Sequence, residues 1–354
     1  MKNLKDQKKI YNIKLMTNIY KYLSNDLNIC DINTQCYFIG LIILLLKSMD
    51  YTYIMYYVLS DKEDISDENK KIIILIKKCY SVYKDDYFNK EFSFIDNINN
   101  NKSIFKLIEI INEYYYANNF KVDLLEDIIE ILLIISDKNY NYNYNIIPNW
   151  ISKYIHDIIM NNIDDKTKKL SVYFPCYELG YLIKPFENYK NLSLYCEEKN
   201  YKMHIILKLN SIINDIEMKI DMKDFFNSDL CKYDISIIRI PFNRFTTIKF
   251  NFKYLLNQIS CLKQGGYGCA IIHTVALFNR YHSKQLKRDV FNKIDIIKII
   301  NLGDKIFKKH YSNISILFYR KNSRELENLT ISNQNILLAD FTENLYRIKK
   351  NYYS

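Results

Sequence analysis

The run Tyr233-Asp-Ile-Ser-Ile-Ile-Arg-Ile-Pro-Phe-Asn243 carries apolar strand residues straight into a loop, Arg239-Ile240-Pro241-Phe242. A guanidinium offers five N–H donors and no acceptor, so the head of this loop can clasp a carboxylate but cannot accept a hydrogen bond from an amine. Phe242 presents a ring that can stack on a base or simply fill a buried loop. Two acids close other apolar runs, Glu197 after Leu192–Cys196 and Asp224 after Met218–Met222. On type alone, both fit solvated acids at strand ends. Lys263-Gln-Gly-Gly-Tyr-Gly268 has the glycine content of a phosphate loop. It lacks the Gly-Lys-Ser/Thr ending and precedes a strand, and it is read as a helix-terminating turn. His156, His204, His273, His282 and His310 show no metal-ligand spacing with cysteines or acids, so no metal is expected.

Charge is unevenly spread. Residues 1–149 hold 18 Lys against 20 acids, residues 150–354 hold 32 Lys or Arg against 20, and from Arg239 to Arg324 there are 17 basic residues and 3 acidic ones. A basic excess this concentrated points to a polyanion, with solvated helix faces as the competing explanation. Arg244, Arg280, Lys284, Lys287, Arg288, Lys308 and Lys309 are the candidate contacts. The eight cysteines have no Cys-x-x-Cys pair and several lie in apolar runs, as expected of reduced core residues in a cytoplasmic protein. The longest apolar run, Cys36 to Leu46, is too short to span a bilayer, and no membrane partner is expected. The Lys-rich start is not succeeded by an apolar segment and cleavage site, so no signal peptide is expected.

These residues must be positioned by elements that change character along the chain. All four prolines and five of six glycines lie beyond residue 147. Residues 1–138 read as a helical N-terminal domain, with polar loops at Asp61–Lys71 and Asn97–Lys102. One helix begins after Ser103 with Ile104, Leu107, Ile108 and Ile111 on a face. Another begins after Asp123 as its cap, with Leu124, Leu125, Ile128, Ile129, Leu132 and Leu133. Tyr114-Tyr-Tyr116 at a helix end is read as core or groove lining, with base stacking as the alternative. Residues 139–147, Asn- and Tyr-rich, read as a linker. Beyond it, Leu170–Phe174, Leu192–Cys196, Met218–Met222, Ile235–Ile240, Cys269–Thr274, Ile296–Leu302 and Ile314–Tyr319 read as seven short strands alternating with helices. Such alternation predicts an α/β domain over 148–354 with a parallel, helix-covered sheet, which binds ligands at the carboxyl ends of its strands.

From about residue 147 to 321 the order of features resembles the catalytic domain of type I restriction-modification methyltransferase subunits, which are N6-adenine DNA methyltransferases. Ile147-Pro148 and the helix after it sit where the family has Thr-Pro. Val172-Tyr-Phe-Pro-Cys-Tyr-Glu-Leu-Gly-Tyr-Leu-Ile183 sits where the family has Val-x-Asp-Pro-x-Cys-Gly-Ser-Gly-Gly-Phe-Leu. Tyr195-Cys-Glu197, Met222-Lys-Asp224, Arg239-Ile-Pro-Phe242, Leu262–Gly268 and Ile314–Lys321 come next in family order, and Phe38–Leu46 is similar to the family's N-terminal helical domain. The resemblance implies an α/β fold with a class I (Rossmann-like) methyltransferase sheet of seven strands preceded by an α-helical N-terminal domain. It also implies S-adenosylmethionine as cofactor and DNA as partner.

The same resemblance assigns roles to residues. Pro148, Phe174, Glu178, Gly180, Glu197 and Asp224 fall at cofactor positions, with Glu197 to accept the ribose hydroxyls and Asp224 to meet the adenine amine. Arg239, Ile240, Pro241 and Phe242 fall on the catalytic Asp/Asn-Pro-Pro-Phe/Tyr, where the polar side chain accepts from the amine being methylated. Glu178 and Tyr181 replace glycines and Phe174 replaces an acid, so the cofactor cradle is expected to be filled. Glu178 and Arg239 are expected to pair across the vacant cleft under Tyr177 or Tyr181. These substitutions imply a diverged, catalytically impaired relative acting as a DNA- or partner-binding subunit beside an active methyltransferase or a specificity subunit. The alternative is an active S-adenosylmethionine-dependent adenine methyltransferase. About 30 residues lie beyond the last expected strand, so target specificity is expected from a partner.

Overall fold

A computed structural model describes residues 2–27, 29–49, 54, 72–76, 78, 104–135, 147–165, 167–175, 182–187, 189–227, 232–241, 248–278, 284–303, 313–322 and 337–340. The expected loops at 61–71 and 97–102 lie outside these residues, as does most of the expected linker. In chain order the helices are α1 (Lys2–Lys21), α2 (Ile32–Ser48), α3 (Ile104–Ala117), α4 (Glu130–Ile135), α5 (Asn149–Asn161), α6 (Tyr201–Ile213), α7 (Ile248–Cys261), α8 (Thr274–Phe278) and α9 (Lys284–Phe291). The strands are β1 (Leu170–Phe174), β2 (Leu192–Glu197), β3 (Met218–Asp221), β4 (Tyr233–Arg239), β5 (Leu262–His273), β6 (Ile294–Gly303), β7 (Ile314–Lys321) and β8 (Leu337–Asp340). Two compact units result, residues 1–141 with 202–216, and residues 142–201 with 217–354.

In the first unit, α2 is apolar nearly all round and is buried from Ile32 to Leu46 except at Thr34. Asp31 starts it, accepting from the Thr34 amide at 3.0 Å and hydroxyl at 2.7 Å. Burial works to raise the Asp31 carboxyl, but these bonds and the Lys202 ammonium at 3.0 Å outweigh it and hold it below its usual range. Ile104, Leu107, Ile108 and Ile111 bury one stripe of α3 as their spacing requires, with Tyr114 and Tyr115 continuing it. The expected helix after Asp123 opens instead as a π turn, Leu124–Ile129, before α4. The Leu124 amide is satisfied from outside the turn, donating to Asn210 Oδ1 at 2.8 Å, and the Asp123 amide before it from within, donating to Asp127 Oδ2 at 2.9 Å.

The second unit is built on one sheet in the order β3-β2-β1-β4-β5-β7-β6-β8. The seven expected strands are all present. β1 through β5 pair in parallel, and β8 adds an eighth strand parallel to β6. β7 corrects the all-parallel expectation, since it runs antiparallel between β5 and β6. A fully buried strand is a continuous apolar run in either direction, so Ile314–Tyr319 carries no sign of its polarity. On one face Tyr173, Ile238, Ile240, Ala270, Ile272, Leu317 and Tyr319 pack with Phe252, Leu255 and Ile259 of α7 and Val290 of α9. Gln258 of α7 ties two strands together, donating to Ser236 O at 2.9 Å and Cys269 O at 3.1 Å.

Lys263–Gly268 is a second correction. It is not a turn after a helix but the opening of β5, whose register against β4 shifts between Tyr233 and Ile235. Gly265 takes φ +75 there, and its carbonyl accepts from Arg320 Nε at 2.9 Å. Gly268 is required for a different reason. A Cβ at this position would lie 2.1 Å from the Tyr319 ring, which packs across the glycine.

Candidate active site

Strand order reverses between β1 and β4, because β1 leads outward to β2 and β3 while β4 leads to β5 and β7. The crevice above such a reversal is where a sheet of this kind holds its ligand. Tyr173 pairs with Ser236, so Phe174 ends β1 and Arg239 ends β4 on opposite sides of the crevice. Glu197 ends the neighbouring β2, and Asp224 lies three residues beyond β3. The fold therefore brings Phe174, Glu197, Asp224 and Arg239 to one end of the sheet, as their places in the sequence predict.

Arg239 is only 3% exposed. Burial pulls its guanidinium down from the usual arginine range to about 10, because the charged form loses water. It remains a cation at neutral pH. Ile240 next to it extends the sheet, its amide donating to Ile271 O at 3.1 Å and its side chain joining the core. Pro241 is half-buried. Phe242 lies outside the described residues, as do Tyr177, Glu178, Gly180 and Tyr181, and with them the expected Glu178 to Arg239 contact.

The two carboxylates are engaged by the chain itself. Glu197 is buried, and Tyr173 on β1 donates its hydroxyl to Glu197 Oε2 at 2.7 Å. Pairing of Tyr173 with Tyr195 places Glu197 two residues outward on the same face, within reach of the phenol. Tyr173 is held from its other side by Tyr233, stacked at 4.4 Å. Asp224 is more open, with its side chain 38% exposed, and Lys199 Nζ lies 3.7 Å from its Oδ2. Its Oδ1 accepts the Phe226 amide at 3.1 Å and its carbonyl the Asn227 amide at 2.8 Å, so the residue caps the 3-10 turn Phe225–Asn227. Beside Glu197, burial raises the Glu198 carboxyl, which accepts the Asn200 amide at 2.6 Å. Tyr173 fills the unassigned second place of the Val172–Ile183 motif and Lys199 lies in no motif, so both escape a reading of the sequence alone. The alternation of Tyr173, Tyr195 and Glu197 across two paired strands is the signal that marks the phenol.

Phe174 points to the opposite face, into an aromatic group. Its ring meets Phe186 edge-on at 5.7 Å, and His156 of α5 lies between Phe186 at 4.8 Å and Tyr189 at 4.9 Å. Pro148 precedes α5, and its carbonyl accepts the Ile151 amide at 2.8 Å. Of the basic candidates, Arg288 is exposed on α9. Lys287 is half-buried, donates to Leu277 O, and is lowered by that burial. Arg244, Arg280, Lys308, Lys309 and the side chain of Lys284 lie outside the described residues. Among the described residues no three His, Cys, Asp or Glu side chains gather as a metal site, and no helix is long and apolar enough to cross a membrane.

The sequence profile of the N-6 DNA Methylase family matches residues 121–353. The chain belongs to this N-6 DNA methylase family. No curated protein sequence matches it. Among solved structures it is similar to a Listeria monocytogenes protein described as a class I S-adenosylmethionine-dependent methyltransferase, with 14% identity, 98% of each chain covered and a TM-score of 0.63. It is likewise similar to the methyltransferase subunit of a type I restriction-modification system from Streptococcus thermophilus, with 14% identity, 97% and 92% covered and a TM-score of 0.60. At such identity the likeness is one of fold, and the fold is the expected class I methyltransferase sheet with helices before it.

S-adenosylmethionine is the cofactor that an N-6 DNA methylase fold implies, and the described residues fit it poorly. The carboxylate at the end of β2, which the resemblance assigns to the ribose, is buried and accepts from a phenol. The one beyond β3 is shared between an ammonium and a capping turn. Phe174, where the resemblance expects an acid, is a buried phenyl ring, and the buried guanidinium of Arg239 stands at the end of β4.

Proposed function

We propose that this N-6 DNA methylase family member is a catalytically impaired, cytoplasmic subunit of a restriction-modification-like system. It binds DNA or a partner subunit, an active methyltransferase or a specificity subunit, in place of methylating adenine. The observation that carries this reading is the buried guanidinium of Arg239 at the head of the catalytic loop. Methylation of an exocyclic amine needs an acceptor aimed at the amine as it gains positive charge, and loss of one such preorganised group costs about 2.7–4 kcal/mol in barrier. Arg239 supplies donors only. With a pKa of about 10 it keeps its charge at neutral pH, and that charge opposes the one developing on the amine.

Tyr173 and Lys199 support the same reading, since each engages an acid that the family resemblance assigns to the cofactor. The alternative, an active adenine methyltransferase, draws on Asp224, which keeps its place and part of its exposure. Calorimetric titration with S-adenosylmethionine, paired with transfer of a labelled methyl group to adenine-containing duplex DNA, separates the two. The impaired subunit gives no saturable heat and no incorporation above a protein-free control. Micromolar binding with robust incorporation overturns the proposal and establishes the enzyme.

A further inference from the structure

The first unit carries an exposed aromatic group that packing does not explain. Tyr114 and Tyr115 of α3 are buried, but Tyr116 is 69% exposed and Phe120, just past the helix, 56%. Their rings meet edge-on at 5.4 Å, and Phe120 touches Tyr115 at the same distance. Tyr11 of α1 stands in the same neighbourhood, 42% exposed, with its hydroxyl donating to Glu113, one turn before Tyr116 on α3. Asn12 Nδ2 bonds Asn118 Oδ1 at 2.8 Å and fixes α1 to the end of α3.

The backbone at Phe120 is unusual. Asn119 and Phe120 adopt φ 55 and 58. An asparagine commonly ends a helix this way, but a phenylalanine in the left-handed region is an outlier for which a glycine is the unstrained choice. The conformation is nonetheless locked, because Phe120 donates to Tyr115 O at 3.0 Å, Asn119 to Tyr116 O at 2.9 Å and Lys121 to Asn118 O at 3.2 Å. Its result is an outward-facing ring. Strain held at an exposed aromatic residue is a feature of binding sites rather than of cores.

The charge nearby selects the partner. At the rings the Glu113 carboxylate is taken up by the Tyr11 hydroxyl. Lys14, one turn beyond Tyr11, and Lys121, next to Phe120, are both exposed. A wholly apolar patch would suit another protein surface, whereas aromatic rings flanked by cations suit a polyanion that has π-faces of its own. We propose that Tyr11, Tyr116 and Phe120, with Lys14 and Lys121, form a stacking platform for unpaired nucleotides of a single-stranded nucleic acid. Bases stack on the rings while the ammonium groups track the phosphates. Duplex DNA, whose bases are already stacked, cannot use the rings.

The test uses the full chain and a labelled oligo-dT of about 15 nucleotides, enough for a site of this kind. A duplex of equal length serves as comparison, and anisotropy is read at low salt. The single strand is expected to bind more tightly than the duplex. Phe120→Gly and Tyr116→Ala are each expected to weaken it by roughly tenfold, the loss typical of one stacked base. Phe120→Gly must do so with a melting temperature no lower than wild type, since glycine takes the same φ without strain. Equal affinity of the variants, tighter binding of the duplex, or no binding of the single strand overturns the proposal. So does a concentration-dependent dimer abolished by Phe120→Gly, which would assign the patch to a second copy of the chain. None of these outcomes depends on the cofactor and methyl-transfer measurements, which probe the other unit.

Discussion

Replacing Arg239 by methionine should stabilise the protein. The side chain is 3% exposed, and burial alone accounts for the fall of its pKa from the usual arginine range to about 10. Each unit is worth about 1.36 kcal/mol, so the charged form is disfavoured in the folded state by roughly 3 kcal/mol. For a base lowered on folding, the unfolded chain binds more protons between the two pKa values, and stability rises with pH across that window. The penalty is therefore fully present below about pH 10 and is relieved only above it. Methionine keeps most of the stem, removes the charge, and also forfeits whatever hydrogen bonds the guanidinium makes. A net gain of about 1–3 kcal/mol at pH 7 is expected, in line with replacement of other buried ions by apolar residues. For a unit of this size that raises the melting temperature by very roughly 2–10 °C. Denaturant melts at pH 6, 7.5 and 9 should give the same gain at each, since all three lie below the folded pKa. A methionine variant less stable than wild type would refute the reasoning, by showing that contacts to the guanidinium outweigh its desolvation.

Tyr173→Phe removes the buried donor to Glu197 and should lower stability by about 1.5–3 kcal/mol, the usual worth of a hydrogen bond to a charged group. The same variant should show weak, saturable heat with adenosine that wild type lacks, and a silent titration would mean that the phenol does not mask the acid. Gly268→Ala places a methyl group 2.1 Å from the Tyr319 ring and should cost at least about 1–3 kcal/mol, read as a lower denaturant midpoint. Shortening Tyr319 to leucine in the same background should recover part of that loss. Arg239→Asn by itself should not give adenine methylation, because Tyr173 and Lys199 still engage Glu197 and Asp224. Labelled methyl transfer by this single variant would show that the acids are available after all.

What can be read in the sequence, and what cannot, divides along a physical line. Buried parallel strands announce themselves as apolar runs, and Ile235–Ile240 and Leu170–Phe174 are strands within two residues of their expected bounds. Residues just beyond such runs necessarily reach the carboxyl end of the sheet, so Arg239, Glu197 and Asp224 can be gathered there from sequence order alone. Quantities that depend on pairing are hidden. An apolar run has no direction, which is why β7 reads as one more parallel strand. A glycine-rich opening to a strand looks like a turn until Arg320 and Tyr319 are known to lie against Gly265 and Gly268. The contact of Tyr173 with Glu197 needs the register of β1 on β2, and the tyrosine then ceases to be an anonymous core residue. Composition suggests a DNA-binding face made of loop and helix cations, yet Lys287 turns inward to a carbonyl. A count of lysines therefore measures the field of a surface, whereas the choice of ligand rests on the few side chains that the fold leaves without a better use.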